Sequence, residues 1–300
     1  MKSMLITGAS GFVGRALKEV INKDKYVVIT TDIAGSVDYL GDLSERDFVE
    51  SLPDVDHVVH LAGVQYVTPQ RPVFGRRQWF IRNNVAATEF LSQRFQDAHF
   101  IYVATSMVFD QHRGQEYSSN SVRKASGDYS ESKLSAVRVV EYMKKYAIVY
   151  PCIIVGKGRG GLFGPLLRAL RYARTLLYSG DYNQKISVID VRDVARILNA
   201  IVMQSFVGHV TIAGEDPSSV LAWSEVAADH LGIAPLLRIR LPMLGIAAFA
   251  RLTGYRFVFR EQMSMLQYGH IVKAESMEKL GVRPLFTTSD SIRALAGMYR

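Results

Sequence analysis

The chain has 300 residues, of which 48% are hydrophobic and 21% are charged. This balance is ordinary for a globular protein with a substantial core, and the sequence contains neither an internal repeat nor a low-complexity tract. The net charge of +8 favours anionic ligands, but the lack of zinc-finger spacing and of an aromatic–basic RNA-binding pattern argues against nucleic acid as a partner.

Cysteine content and apolar runs bear on where the protein works. Cys152 is the single cysteine, so no intrachain disulfide can form, which fits a cytoplasmic protein. No targeting segment is expected, because the N-terminus runs directly into a short strand and a glycine turn. The most apolar later run, 243–250, is far shorter than the ~20 residues of a membrane span. It predicts a buried helix, and its flanking arginines leave peripheral membrane contact as the alternative.

In the first half, short apolar runs alternate with longer amphipathic ones. The runs that predict strands are 4–7, 26–31, 57–61, 99–105 and 147–154. The runs that predict helices are 13–23, 47–51, 83–94 and 130–145. This alternation predicts an α/β fold, a Rossmann-like doubly wound parallel sheet with helices on both faces.

After Pro151 the alternation loosens. A glycine-rich loop at 156–161 precedes further predicted elements, namely a helix at 165–177, a strand at 186–189, a helix at 193–204 and a strand at 209–213. The rest, from Trp223 on, is mostly helical. Residues 1–155 are therefore predicted to form a dinucleotide-binding domain, with strand and helix returns near 186–213. Residues 156–300 are predicted to form mainly a smaller substrate-binding lobe.

A glycine loop joins the first strand to the first helix. Gly8, Gly11 and Gly14 follow one another at intervals of three, and Phe12 and Val13 begin the helix. Gly8 permits a sharp turn, Gly11 permits close approach of a pyrophosphate, and Gly14 permits close packing of helix and sheet. The helix N-terminus supplies N–H groups and a positive dipole to the phosphates. These five residues are candidate cofactor ligands.

Asp32 ends the second predicted strand, eighteen residues after Gly14. A carboxylate there accepts hydrogen bonds from the adenosine ribose hydroxyls and repels a 2′-phosphate. Asp32 therefore favours NAD over NADP. Asp42 and Leu43 follow one turn later and are candidates for contact with the adenine, although a purely structural role is equally open.

Tyr129 and Lys133 are four residues apart on a predicted helix and so share one face. A free tyrosine has a pKa near ~10, and an adjacent ammonium group lowers it by stabilising the phenolate. The pair then takes a proton from a hydroxyl while hydride leaves the same carbon. Thr105 and Ser106 follow the fourth strand, where a hydroxyl points into the ligand crevice of such a sheet.

Together these motifs resemble the extended short-chain dehydrogenase/reductases of the NAD-dependent epimerase/dehydratase group, nucleotide-sugar epimerase or keto-sugar reductase type. The resemblance covers nearly the whole chain. Its matching segments, in order, are the glycine loop, 60–63, 84–88, 105–106, 129–133, 151–156, 190–195 and 273–284.

The resemblance implies roles for individual residues. Tyr129 would be the catalytic acid/base, Lys133 would bind the nicotinamide ribose, and Thr105 rather than Ser106 would complete the triad. Pro151 would lie beside the nicotinamide. The cofactor-lining positions would also include Leu61, Ala62, Gly63 and Asn84. A nucleotide sugar would bind the second lobe, and basic residues in a cluster after Lys157 suit its phosphates. Many relatives dimerise, so a homodimer is implied.

Several positions depart from the family pattern. Tyr150 stands where arginine is common, Asp190 where an aromatic residue or histidine is frequent, and Gly63 where alanine is usual. Phe109-Asp110 replaces tyrosine and glycine. The first three are expected near substrate or cofactor surfaces, so they leave the substrate open. No metal site is expected, because His57 and His60 face opposite sides of one strand.

Three functions remain open. The first is NAD-dependent oxidation and epimerisation of a nucleotide-linked sugar at C4. The second is an NAD(P)H-dependent keto-sugar or hydroxysteroid-type reductase with net redox change, and 241–260 resembles the C-terminal lobe of bacterial keto-sugar reductases. The third is a non-catalytic dinucleotide sensor or RNA-associated relative, against which the intact Thr105, Tyr129 and Lys133 argue. Dehydration is disfavoured, because Ser106 and Met107 stand where dehydratases carry acidic residues.

Overall fold

The computed structural model of the chain describes residues 1–66, 68, 71–72, 74–111, 116–158, 163–179, 184–254 and 258–299. Part of the predicted loop at 156–161, including Arg159 of the basic cluster, lies outside these residues. Within the described residues, no helix has both the length and the apolar character needed to cross a bilayer.

The strands alternate with helices along most of the chain. In chain order the strands are β1 (Lys2–Thr7), β2 (Tyr26–Asp32), β3 (Tyr39–Leu40), β4 (His57–His60), β5 (His99–Val103), β6 (Glu116–Tyr117), β7 (Tyr146–Pro151), β8 (Ile153–Val155), β9 (Thr175–Ser179), β10 (Val188–Asp190), β11 (Gly208–Ile212), β12 (Leu237–Leu241) and β13 (Ile271–Val272). The helices are α1 (Phe12–Val20), α2 (Arg46–Glu50), α3 (Arg76–Phe80), α4 (Ala87–Arg94), α5 (Asp128–Val140), α6 (Gly164–Ala173), α7 (Val191–Gln204), α8 (Val220–Leu231), α9 (Met243–Leu252), α10 (Arg260–Tyr268), α11 (Ser276–Leu280) and α12 (Thr288–Ala296).

Seven of the described strands form one parallel sheet in the order β11-β7-β5-β4-β1-β2-β3. Every residue of β4 is buried, as is nearly all of β5, because helices cover both faces of a parallel sheet. The predicted Rossmann-like α/β fold is confirmed. From β1 the chain builds outward to β2 and β3 on one side, and β4 and β5 follow on the other.

A second apolar core lies beyond the sheet. Phe163 and Leu167 of the α6 region pack with Trp223 of α8 and with Leu295 of α12. Two parallel two-stranded sheets, β8 with β10 and β9 with β12, lie in this part of the chain. The chain also returns to the main sheet through β11, which pairs with β7.

The structure corrects two predicted elements near the boundary of the halves. The single strand predicted at 147–154 is two strands, β7 in the main sheet and β8 in a separate one, divided at Cys152. The helix predicted at 165–177 ends at Ala173, because Arg174 adopts a left-handed conformation with φ of 46°. The last three predicted helical residues instead begin β9.

Helix boundaries also differ from their predictions around the site. The helix predicted at 83–94 begins at Arg76 and contains a π-helical stretch, Ile81–Ala86, before it continues as α4. The helix predicted at 130–145 is α5, which starts at Asp128 and ends at Val140. The apolar run at 243–250 does form a helix, α9, but the prediction that it is buried is wrong, since Ala250 is its one buried residue.

Candidate active site

The sheet order opens a crevice where β1 and β4 meet. The strands that follow β1 and those that follow β4 build the sheet in opposite directions. Connections after the two strands therefore diverge at their carboxyl ends, which is where ligands bind in doubly wound sheets.

The glycine loop closes this crevice from the β1 side. Gly8 has φ of +66°, and a Cβ there would lie only 2.7 Å from the backbone nitrogen of Ala62. A Cβ on Gly14 would collide with the carbonyl oxygen of Gly8 and would lie 2.7 Å from the Cα of Ala9. Gly14 thus lets α1 pack closely against the glycine loop. The sequence instead predicts close packing of α1 against the sheet. Both positions exclude any larger residue.

The start of α1 fits a dinucleotide pyrophosphate. Gly11 is its N-cap, in extended conformation, and Phe12 and Val13 form its first turn. The first N–H groups of a helix have no carbonyl partner within it and carry the positive end of its dipole. No acidic residue occupies this turn. An anionic diphosphate can therefore approach these residues without repulsion from a neighbouring carboxylate in the turn.

Asp32 lies beside the glycine loop, as expected for a ribose ligand. Its carboxylate accepts hydrogen bonds from the backbone N–H of Ser10, at 2.9 Å, and of Ile33, at 2.7 Å. These bonds fix the carboxylate next to the loop, and each oxygen keeps a lone pair for a further donor. The geometry suits a pair of ribose hydroxyls.

Asp42 and Leu43 occupy different environments. Asp42 accepts hydrogen bonds from the backbone and hydroxyl of Ser44 and forms an ion pair with Arg82 at 3.3 Å. Leu43 is 5% exposed and packs in the main core. Both therefore have structural roles in this turn, and Asp42 remains accessible from solvent at the side-chain level.

A buried histidine forms hydrogen bonds with residues on both sides of the crevice. His60 lies 2.7 Å from Thr7 Oγ1 through Nδ1 and 3.0 Å from Thr88 Oγ1 through Nε2. Because Thr88 donates its proton to the carbonyl of Asn84, His60 Nε2 must be the donor, and Thr7 donates to Nδ1. Thr7 Oγ1 then accepts from the N–H of Ala62. Burial lowers the pKa of His60 to about 3, which keeps the ring neutral.

Asn84 positions the segment that follows β4. Its side-chain oxygen accepts a hydrogen bond from the N–H of Val64 at 2.8 Å. Its side-chain nitrogen donates to the carbonyl of Val64 and to Ser132 Oγ. Ser132 in turn donates to the carbonyl of Tyr129. Asn84 lies in the π-helical stretch, a deviation that often marks functional sites. It thereby links the segment around Gly63 to α5, and its Oδ1 would lie 3.1 Å from a Cβ on Gly63.

Lys133 is buried beneath the crevice. Its Nζ donates to the carbonyl of Val103 at 2.7 Å and lies 4.4 Å from the ring centroid of Tyr102. No carboxylate forms an ion pair with it in the described part of the chain, and burial lowers the pKa of its ammonium group to about 7. A buried ammonium with such a pKa is matched to chemistry near neutral pH.

One pocket brings the catalytic candidates together. Thr105, Tyr129 and Lys133 all line it, whereas Ser106 bonds to His270 at 2.7 Å. Thr105 Oγ1 accepts from the N–H of Met107 and keeps its own proton for another acceptor. The described residues that line the pocket are Val13, Leu61, Gly63, Val64, Gln65, Tyr66, Val103, Ala104, Thr105, Met107, Tyr129, Lys133, Pro151, Cys152, Ile153, Ile154, Phe163, Glu261, Gln262 and Met265.

Glu261 is a buried pocket residue that the sequence reasoning missed. Its carboxylate is 0% exposed and accepts from the backbone N–H of Ser130, at 3.1 Å, and from Ser130 Oγ, at 3.0 Å. It therefore caps α5 one residue from Tyr129, from α10 in the other half of the chain. A contact so distant in sequence leaves no local signal near Tyr129.

Tyr66 completes this arrangement. Its hydroxyl donates to the Glu261 carboxylate, 2.9 Å from each oxygen, and accepts from the N–H of Tyr129 at 3.3 Å. Its ring stacks on Phe259, with centroids 3.6 Å apart. Burial raises the pKa of Tyr66 above its usual value and the Glu261 carboxylate raises it further, so the phenol remains protonated as a donor.

Two of the departures from the family pattern have structural partners instead of pocket contacts. Tyr150 is fully buried, and its hydroxyl lies 3.0 Å from His209 Nδ1. Asp190 caps α7 through the N–H of Arg192 and accepts from Ser291. Neither residue lines the pocket, contrary to the expectation that both lie at substrate or cofactor surfaces. Gly63 does line it.

Comparison with known proteins identifies the family and the fold. The model of the NAD dependent epimerase/dehydratase family matches residues 4–213. A uronate dehydrogenase from Pseudomonas syringae pv. tomato is 23% identical over 243 residues, which cover 77% of this chain and 81% of the relative.

Solved structures share the fold. A UDP-glucuronic acid 4-epimerase from Bacillus cereus in complex with NAD has a TM-score of 0.76 at 18% identity, covering 99% of this chain and 96% of that one. The human epimerase family protein SDR39U1 with NADPH has a TM-score of 0.79 at 19% identity, covering 98% and 99%. At these identities the likeness establishes the fold of the whole chain.

Proposed function

The chain belongs to the NAD-dependent epimerase/dehydratase family, whose model matches well over half of it, and on this premise we propose that it transfers hydride at a hydroxyl-bearing carbon, C4, of a nucleotide-linked sugar. The observation that carries the proposal is the convergence of Thr105, Tyr129 and Lys133 in one pocket with Pro151. Support for a dinucleotide comes from Asp32, which is held beside the glycine loop, and from Val13, which follows that loop and lines the pocket.

Each catalytic candidate has a task in this reaction. Nicotinamide, when bound, supplies the hydride acceptor. Tyr129 takes the proton of the reacting hydroxyl, and Thr105 holds the same oxygen by a hydrogen bond. Lys133 is buried beside them, and its positive charge stabilises the tyrosine phenolate. Charge on Lys133 is costly in that environment, and the ammonium group has two N–H donors beside the one bonded to Val103, which ligand hydroxyls would satisfy.

NAD is the proposed cofactor. The Asp32 carboxylate, held beside the loop by two backbone N–H groups, would repel the 2′-phosphate of NADP. NADP stays the lesser alternative, since three structural neighbours are complexes with NADPH or NADP.

A nucleotide sugar is the proposed substrate because one neighbour of the same fold is a UDP-glucuronic acid 4-epimerase. The net charge of +8 suits a substrate that carries a diphosphate. In the 4-epimerase reading the sugar is oxidised and then reduced on the other face, so no net redox change results.

A dehydrogenase with net redox change is the second candidate. It is favoured by the similarity to uronate dehydrogenase, which extends over most of both chains. The same pocket residues would serve either reaction, because both begin with removal of a proton and a hydride from one carbon.

Purified protein tests these alternatives. It is first analysed for retained NAD, and then incubated with a panel of UDP-, GDP- and dTDP-sugars and of uronates. Absorbance at 340 nm and sugar products are followed. The 4-epimerase proposal predicts an epimeric product without net absorbance change or added cofactor. Stoichiometric reduction of added NAD or oxidation of NADH instead identifies the dehydrogenase. Absence of turnover across the panel, with clear binding to an RNA or protein partner, would refute both.

A further inference from the structure

The segment 232–260 combines apolar side chains with a single sign of charge. It contains five arginines and no aspartate, glutamate or lysine. Over the whole chain, by contrast, 28 acidic residues accompany 36 basic ones. The segment therefore differs from the rest of the chain in carrying positive charge alone.

Helix α9 lies within this segment and is apolar on all sides except at Arg251. Leu244 and Leu252 are 87% and 88% exposed, and Phe249 is 49% exposed. Positions 244, 248 and 252 repeat every four residues, so they form one stripe along the helix. A helix that is apolar all round is normally enclosed by protein or by lipid, yet this one presents a stripe of leucines to solvent.

The strand that leads into α9 has the same character. Leu237 and Ile239 of β12 are 57% and 42% exposed and alternate with Arg238 and Arg240. Arg238 pairs with Glu225 at 2.8 Å. Among the described residues no carboxylate forms an ion pair with Arg240 or Arg251, so their charges are available to a partner.

The exposed surface continues beyond the segment. Arg76 Nη2 donates to the carbonyl of Gly254, just after α9, at 2.8 Å. Phe74, two residues before Arg76, is 88% exposed. The patch thus extends from α9 to the loop before α3, and α10, which follows it in the chain, lines the active-site pocket through Gln262 and Met265.

We propose that α9 and β12 form a docking surface for an anionic lipid bilayer. Leucine and phenylalanine side chains enter the acyl boundary while unpaired arginines contact acidic headgroups, which is how interfacial helices bind membranes. A second copy of the chain fits less well, because a two-fold interface would bring two identical arginine-rich surfaces together without acidic residues between them. This proposal is independent of the substrate and of the reaction.

Vesicle sedimentation of the full chain tests the proposal. The probes are vesicles of phosphatidylcholine alone and of phosphatidylcholine with ~30% phosphatidylglycerol. We expect at least ~10-fold stronger binding to the anionic vesicles, lost on raising the salt because headgroup attraction is screened. Equal absence of binding to both vesicles would overturn the proposal.

Matched variants separate this surface from general stickiness. The double variant Leu244→Ser/Leu252→Ser and the variant Arg240→Gln/Arg251→Gln should each reduce anionic-vesicle binding ~10-fold or more. Val122 and Leu285 are also exposed, at 73% and 64%, so Val122→Ser/Leu285→Ser is the control and should bind as the wild type. Equal loss in that control would contradict the assignment. So would a wild-type dimer in solution that the leucine variant dissociates, because a second copy would then cover α9.

Discussion

The sheet side of the pocket and its helical side are held together differently. On the sheet side, Thr7, His60 and Asn84 fix the crevice through short, buried hydrogen bonds between neighbouring elements. On the helical side, Glu261 reaches from α10 to the N-terminus of α5, with Tyr66 as its second donor. The sheet side is thus held by hydrogen bonds between neighbouring elements, whereas the N-terminus of α5 depends on a contact from a distant part of the chain.

Because the two sides are held by different contacts, substitutions on one side should affect binding and substitutions on the other should affect turnover. Substitutions on the sheet side should alter dinucleotide affinity, since Asp32 and the glycine loop lie there. Substitutions of Tyr129, the proposed base, or of Glu261 should alter kcat while leaving affinity for the dinucleotide nearly intact.

The largest expected effect is that of Tyr129→Phe. Without the phenol, the reacting hydroxyl loses its base, and kcat should fall by roughly 10²- to 10⁴-fold. Dinucleotide affinity, measured by fluorescence titration, should change little. Tyr142→Phe is the matched control, since that tyrosine is 92% exposed. Full activity of the Tyr129 variant would exclude this residue as the base.

Glu261→Gln should have the next largest effect. The amide keeps one acceptor oxygen for Ser130 but turns an N–H toward the Tyr66 hydroxyl, which accepts from the N–H of Tyr129. The hydroxyl must then reorient, and a resulting displacement of Tyr129 near 1 Å costs about 10²-fold in kcat. Removal of the negative charge should also move the acid limb of the kcat–pH profile to lower pH, because the anion opposes phenolate formation.

Tyr66→Phe is the control for Glu261→Gln, because it removes one donor and keeps the carboxylate. It should lower kcat less and leave the acid limb in place. If Glu261→Gln lowers only the thermal midpoint, with kcat and its pH profile unchanged, Glu261 is a structural residue without a positioning role.

Lys133→Met should abolish the charge that serves catalysis and stabilise the free protein. The folded pKa of about 7 lies below the ordinary 10.5, so the unfolded chain binds the proton more tightly between these values. The cost of burying the lysine is therefore full below pH 7 and disappears as the pH rises toward 10.5. Replacement by methionine should raise the free energy of unfolding by ~1–4 kcal/mol at pH 6.5.

Urea titrations at pH 6.5 and pH 10 measure this effect, which should be smaller at the higher pH. Lys144→Met is the control, since Lys144 is 81% exposed at the side-chain level and should change stability little. A Lys133→Met protein less stable than the wild type at pH 6.5 would show that the bond to Val103 outweighs the burial of charge.

The smallest expected effect is on cofactor choice. Asp32→Asn keeps one side-chain oxygen but removes the negative charge. In the proposed function, that carboxylate accepts hydrogen bonds from the ribose hydroxyls and repels a 2′-phosphate. The ratio of NAD to NADP affinity should fall by about 10-fold, the equivalent of one charge-assisted hydrogen bond. An unchanged ratio, or a wild type that prefers NADP, would refute the assigned role of Asp32.

The geometry of the sheet side could be predicted from the sequence because it depends on residues close together in the chain. A Cβ at Gly8 or Gly14 would collide with nearby backbone, so these positions require glycine. Tyr129 and Lys133 lie on one helix, and their spacing alone brings them to one face.

The helical side was less predictable because the residues that meet there lie far apart in the chain. Glu261 meets Ser130 across 131 positions, and no periodicity connects the two. The apolar pattern of α9 predicts burial, but a pattern does not specify what covers the helix. The end of α6 at the left-handed Arg174 was also missed, because that conformation is rare for residues other than glycine.

Transfer of deuterium tests whether hydride passes between the sugar and the nicotinamide. The NAD-loaded protein is mixed with a nucleotide sugar that it turns over, labelled with deuterium at C4, and the nicotinamide is analysed by mass spectrometry during the first turnover. Hydride transfer at C4 predicts deuterium on the nicotinamide in the wild type and none above background in Tyr129→Phe. Loss of the label to solvent, with the nicotinamide unlabelled while product forms, would contradict it.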